Sequence, residues 1–286
     1  MVRLQFSIAL SYEIYDTTSD FIFNIEAAHT KCQSVVEERL TLTQPIKPLQ
    51  FTDPANNTRY LRLEGNAGDL GVRYDATVDI SHVSESHVNL QEMRISQLPS
   101  EALQYIYPSR YCQSDRLQKL ANREFGHLQH GYQRVLAIQN WVRQRTAFLS
   151  GTTNSSTSAV DTITEMAGVC RDFAHLMIAL CRALNIPARF VTGIDYGADP
   201  ILGPTDFHAY VEVMLSGRWY LFDPSGVSPP MGLVRLGTGR DAADVAFATV
   251  FGAVGTHAPV ITIEACQDSE QGWELPQHRE EALSTA

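Results

Sequence analysis

Cys170 stands in the run Ala167-Gly168-Val169-Cys170-Arg171-Asp172-Phe173-Ala174-His175, where a glycine-containing turn passes directly into an apolar helical pattern. A thiol at that junction meets the unpaired N–H groups of a helix start and the positive end of its dipole. Both favour the thiolate, the form that attacks a carbonyl. Downstream come Asp206-Phe207-His208-Ala209-Tyr210 and Leu221-Phe222-Asp223-Pro224. A thiol, an imidazole and a carboxylate in that order could act as nucleophile, proton carrier and orienting group of a Cys-His-Asp triad.

The elements that carry His208 and Asp223 fix their relation. Residues 207–215 and 218–222 have strand character and are joined by Ser216-Gly217, a two-residue link suited to a hairpin. That loop sets Leu215 opposite Arg218, Tyr210 opposite Asp223 and His208 opposite Ser225. Side chains two apart on a strand share a face, so His208 and Asp223 are diagonal neighbours, roughly 7–8 Å apart between backbones. A shift of one residue would separate them to opposite faces. Tyr210 shares the face of His208 and is a candidate to line the site. Arg171 could hold a thiolate or a substrate carboxylate, or be a solvated surface residue.

Around these segments the chain divides into four stretches. Residues 1–98 read as short strands, at 3–8, 21–26, 34–42, 59–64, 71–80 and 87–89, with Asn56-Asn57 and Gly65-Asn66 as turns. They suggest an antiparallel sandwich. Residues 99–115 form a linker containing Pro99 and Pro108. Residues 116–266 alternate helical and strand patterns: helices near 114–125, 132–146, 160–166 and 170–184, and strands at 188–194, 207–215, 218–222 and 260–265. In the clearest helix Phe173, Ala174, Met177, Leu180, Cys181 and Leu184 recur at three and four, and Asn185 and Pro187 stop it. The polar stretch 267–286 is expected to be a frayed tail.

Composition narrows the field. The chain has 286 residues, 44% of them apolar, and a net charge of −10. That suits one large or two ordinary domains with a sizeable core. It gives no basic footprint for nucleic acid and no support for an anionic membrane surface. Five widely spaced cysteines make neither a disulfide framework nor a zinc ribbon, so reduced thiols and a cytoplasmic location are expected. The alternating first ten residues resemble a strand, not a signal peptide, and no apolar run is long enough to span a bilayer. His127 and His130 are bracketed by Gly126 and Gly131 and read as loop, not as metal ligands. His175 and Cys181 read as structural.

The run 168–176, the segment Asn185-Ile186-Pro187-Ala188-Arg189 and the His208 and Asp223-Pro224 segments together resemble the bacterial transglutaminase-like superfamily. Tyr107-Pro108-Ser109-Arg110-Tyr111, the stretch 239–245 and the strand-rich N-terminal region extend the resemblance over most of the chain. It implies an α+β fold: a papain-like core, with helices on an antiparallel sheet, behind an N-terminal β-sandwich-like domain. It further implies Cys170 as nucleophile, His208 as base and acid, Asp223 as orienter, and an upstream tryptophan, for which Trp141 is the candidate, at the oxyanion. No DxDxDG calcium loop is present, and no metal or other cofactor is expected. The activity implied is acyl transfer from a peptide or glutamine amide through a thioester, with hydrolysis favoured over amine transfer. A peptide-binding module that has lost its chemistry, or a metal site built from Cys170, His208 and Asp223, are the competing readings. Oligomeric state is open.

Overall fold

The structure, a computed structural model, describes residues 1–199, 205–268 and 270–286. Two long antiparallel strands organise its N-terminal part. β1 (Val2–Phe23) buries Val2, Leu4, Phe6, Ile8, Leu10, Tyr12 and Ile14 in strict alternation, as a half-buried strand must. The sheet also contains β2 (Gln33–Leu42), β3 (Leu49–Thr52) and β4 (Arg59–Ile80). β4 pairs with β1 from Val2↔Ile80 to Phe23↔Leu61, with a break in register between Ile14 and Thr18. Beyond the break Tyr12 meets the rings of Phe21 and Phe23 at 5.1 and 5.8 Å, so both halves of β1 serve one interior.

Gly65-Asn66 is therefore not a turn; it lies inside β4, beside the break. A Cβ on Gly65 would come within 2.5 Å of Ile14 Cδ1, so this glycine marks a close approach in a strand. Asn57 does turn the chain, at φ 59°. After the short β5 (Val83–Glu85), residues His87–Asn89 form a 3-10 turn instead of the expected strand.

The middle of the chain builds helices against a second sheet. It runs through α1 (Ser114–Phe125), α2 (Tyr132–Arg145), β6 (Ala147–Phe148), α3 (Ala159–Glu165), β7 (Ala167–Gly168) and α4 (Cys170–Ala183). Every residue of α4 from Asp172 to Ala183 is buried, as befits a helix apolar on most of its circumference. It packs in one core with Phe190, Ala209, Val211, Val213 and Leu215 of the sheet. That sheet is β8 (Ala188–Asp195), β9 (Phe207–Leu215), β10 (Arg218–Phe222) and β11 (Leu233–Gly239), ordered β10-β9-β8-β11 and antiparallel throughout.

The end of the chain departs from the expected division. β12 (Ala248–Phe251), β13 (Val254–Thr256) and β14 (Val260–Cys266) all pair with β1. Residues 248–266, expected in the catalytic part, complete the N-terminal sheet. Period-two patterning identifies a strand but carries no record of its partner. Nor is the tail frayed, although residue 269 lies outside the described residues. β15 (Ala282–Ser284) pairs with β5, and Ala282, Leu283, Ser284 and Thr285 are buried. Beside it the fully buried Glu212 is held by Arg189 at 2.6 Å and by Arg235, whose guanidinium also donates to Thr285 Oγ1 at 2.9 Å. The expectation failed because the four buried residues, of which only Ala282 and Leu283 are apolar, follow a long polar stretch.

Candidate active site

The start of α4 is fixed by Asp172, whose Oδ2 accepts the Val169 N–H at 2.9 Å. This satisfies one of the donors that a helix start leaves open. Cys170 is the first residue of the helix and is half-buried, with its sulfur 3.9 Å from the carbonyl oxygen of Phe207. The next residue along β9 is His208, so the helix start and the strand start meet at this point.

The β9–β10 turn has Ser216 at φ 48° and Gly217 at φ 83°, the left-handed pair of a type I′ hairpin. Pairing runs from Leu215↔Arg218 to Val211↔Phe222, the register read from the loop length. His208 Nε2 lies 3.4 Å from Asp223 Oδ2. That is longer than the 2.6–3.2 Å range of a working hydrogen bond, and it is a close charge contact, not an aligned bond. Asp223 is itself pinned: its Oδ1 accepts the Ser225 N–H at 3.0 Å and the Ser225 hydroxyl at 2.6 Å.

Burial alone would push the His208 imidazole towards its neutral form. The attraction of Asp223 and Asp195 outweighs it, contact with the Cys170 sulfur adds to that pull, and the pKa is held well above the usual histidine value. Burial likewise works to raise Asp223, but the His208 charge and the Ser225 hydrogen bonds leave its carboxyl below the usual value. The arrangement therefore favours an imidazolium beside a carboxylate, next to a sulfur at a helix start.

Three other candidates stand elsewhere or do different work. Tyr210 packs edge-on against His208 at 4.4 Å between ring centroids, but it is fully buried and its hydroxyl is engaged with Ser228 at 2.7 Å. It backs the imidazole and is closed to solvent. Trp141 directs its indole N–H to Glu124 at 3.3 Å, meets Phe125 edge-on and has the Arg145 guanidinium over its ring, so the helical part takes up the side chain expected at an oxyanion. Arg171 spends its guanidinium on Asp172 at 3.1 Å and on the Asn154 carbonyl at 2.9 Å, tying the loop around residue 154 to the helix start. His175 is buried, accepts the Ala242 N–H at 3.1 Å and stacks on Tyr111. His130 faces Glu92 at 3.6 Å.

Asp195 was not singled out from the sequence. It ends β8, and its Oδ2 lies 4.0 Å from His208 Nδ1. Gly193 pairs directly with His208, so Asp195, two residues on, shares the face of that histidine. The same counting that found Asp223 would have found Asp195, had the β8–β9 register been known. No tight turn sets that register, because residues 196–206 intervene.

Comparison with known proteins follows this geometry. Residues 118–224, which include Cys170, His208 and Asp223, match the transglutaminase-like superfamily, and residues 2–101 match the bacterial transglutaminase N-terminal domain. The crystal structure of a "Putative Cysteine Protease" from Cytophaga hutchinsonii is 38% identical, with 100% of this chain and 98% of that one covered and a TM-score of 0.91. An uncharacterised protein of Mycobacterium leprae is 34% identical over 117 residues, 39% of this chain and 42% of its own length. One from Mycobacterium tuberculosis is 32% identical over 109 residues, 34% of this chain and 35% of its own. The matched segments thus span less than half the length of these curated relatives.

Proposed function

We propose, for a chain that belongs to the transglutaminase-like superfamily, a cysteine-dependent acyl transfer that cleaves peptide or glutamine side-chain amides through a thioester. The observation that carries this reading is the meeting of three elements at one imidazole. The start of α4 brings Cys170, the start of β9 brings His208, and the end of β10 brings Asp223 within 3.4 Å of the ring.

The Cys170 sulfur attacks the amide carbon, and the carbonyl π pair moves onto oxygen. The N–H of Cys170, at the first helical position and needed by no intrahelical carbonyl, faces that oxyanion. Collapse of the tetrahedral adduct expels the amine, which takes its proton from the His208 imidazolium. The ring, now neutral, removes a proton from an incoming water or amine as it attacks the thioester, and Cys170 departs as thiolate. Asp223 holds the ring and stabilises its charged form without itself being protonated.

Water gives a protease or amidase; a primary amine gives transglutamination. Water is present at bulk concentration, whereas amine transfer needs a site that excludes it, so hydrolysis is the favoured branch. The name "Putative Cysteine Protease" given to the Cytophaga hutchinsonii relative agrees with that choice. Incubating the protein with a peptide library, with and without a labelled primary amine, decides the branch. The expected result is Cys170-dependent peptide cleavage with little amine incorporated. Amine incorporation without cleavage would reverse the assignment, and turnover unaffected by Cys170→Ala would remove it.

A further inference from the structure

We infer that Asp195 is a second positioning residue for His208, holding from the Nδ1 side the ring that Asp223 holds from the Nε2 side. The functional consequence rests on the acyl-transfer reading above; the geometry does not. Asp195 Oδ2 is 4.0 Å from Nδ1, and Asp223 Oδ2 is 3.4 Å from Nε2. The two carboxylates come from the strands on either side of β9, one at the end of β8 and the other just past β10, so they flank the ring on opposite diagonals. Gly193, directly across from His208, puts no side chain between them.

Asp195 is also a built feature. It is 3% exposed, and two buried hydroxyls, of Ser228 and of Tyr210 (the latter at 3.3 Å), donate to its Oδ2. Both donors are neutral, and its cationic partner among the described residues is His208. A buried carboxylate without a compensating charge is strongly unfavourable, so the Asp195 carboxylate at the Nδ1 side favours the protonated ring. The groups that face His208 are Cys170 from α4, Asp195 from β8, Tyr210 from β9 and Asp223 beyond β10, with the Arg143 guanidinium of α2 reaching Gly226 three residues further on.

The arrangement matters at one stage of the reaction. While Cys170 is a thiolate, three negative groups surround the ring. Once the sulfur is bonded to the acyl carbon, its charge is gone. Two carboxylates then still hold the imidazolium in place until its proton reaches the leaving amine.

The test reads the ring directly. Full-length protein with labelled histidine is titrated by NMR, the His208 signal being identified among nine histidines by its loss in His208→Gln. The His208 midpoint should fall in Asp195→Asn by about one pH unit or more, the size expected for an opposite charge at ~4–6 Å. Asp223→Asn should lower it in the same direction. Asp195→Ser, which keeps a hydroxyl partner for Ser228 and Tyr210, should repeat the effect if the Asn variant folds poorly. In the unmodified protein both ring nitrogens should remain protonated above the ordinary histidine range. An unchanged midpoint in folded Asp195→Asn or Asp195→Ser, or a normal His208 titration in the parent, would overturn the inference. Alkylation of Cys170 in the same samples separates the two claims. An inert Cys170 beside a doubly held ring would sink the enzyme reading alone. A reactive Cys170 with an unshifted ring would sink the role of Asp195 alone.

Discussion

At the scale of single residues, the site is an exercise in keeping a buried imidazole charged. Its pKa is raised above the unfolded value of about 6.5, so its contribution to stability is complete below that pH and is lost as pH rises through the folded-state value. Asp223 has the opposite sign. Its lowered pKa contributes stability above the unfolded value of about 3.9, lost as pH falls through the folded-state value. Urea unfolding across pH should therefore show the penalty of His208→Gln shrinking on the alkaline side and that of Asp223→Asn shrinking on the acid side. A penalty independent of pH in either variant would mean that the pair does not carry its charges. The residue types and the diagonal of His208 and Asp223 could be read from the sequence because a two-residue loop leaves one register. Asp195 could not, since its neighbour strand is reached through eleven intervening residues. The partners of Trp141 and Arg171 are not legible for a related reason: a side chain's partner depends on packing that spacing does not encode, and here Glu124 and Asn154 take them.

The elements that matter most are the β9–β10 hairpin and α4. In the hairpin the strand pairing fixes the face, and the turn fixes the pairing. Gly217 sits at φ 83°, and a Cβ there would meet nothing within 4 Å, so a side chain at this position is resisted by backbone strain alone. Gly217→Val should cost about 1–3 kcal/mol of stability, the strain of holding a branched residue in the left-handed region. It should leave the fold intact and loosen the His208–Asp223 contact. A thermal midpoint equal to that of the parent would show that the turn does not set the register. The legibility of elements followed the same physics. α4 announced itself through its three-and-four periodicity and the Asn185-Ile186-Pro187 stop. β1 and β4 did not announce their full lengths, because Gly65-Asn66 mimics a turn where β4 in fact continues, through the break in register opposite Ile14 and Thr18.

The molecule as a whole is interlocked, not built from beads on a string. The N-terminal sheet takes its last three strands from residues 248–266, and the C-terminal strand pairs with β5. The segment carrying Cys170, His208 and Asp223 is thus clasped between two parts of one sheet, and Glu212, Arg189, Arg235 and Thr285 tie the join. Sequence patterning marks one of these late strands, at 260–265, and places it in the catalytic part, since an edge strand reads alike whichever sheet it joins; β12, β13 and β15 are too short for their alternation to stand out. What this frame holds in place is a sulfur beside a charged ring, and iodoacetamide tests that pairing most directly. Cys112 and Cys181 are fully buried and burial pushes both thiols up, whereas Cys32 and Cys266 are half-buried like Cys170, with the Arg235 and Arg3 guanidiniums as their cationic neighbours in place of an imidazolium. In folded protein at mildly acidic pH, Cys170 should be alkylated well before the other four cysteines, and His208→Ala should abolish that advantage. Cys170 reacting no faster than Cys32 and Cys266, with or without His208, would contradict the account.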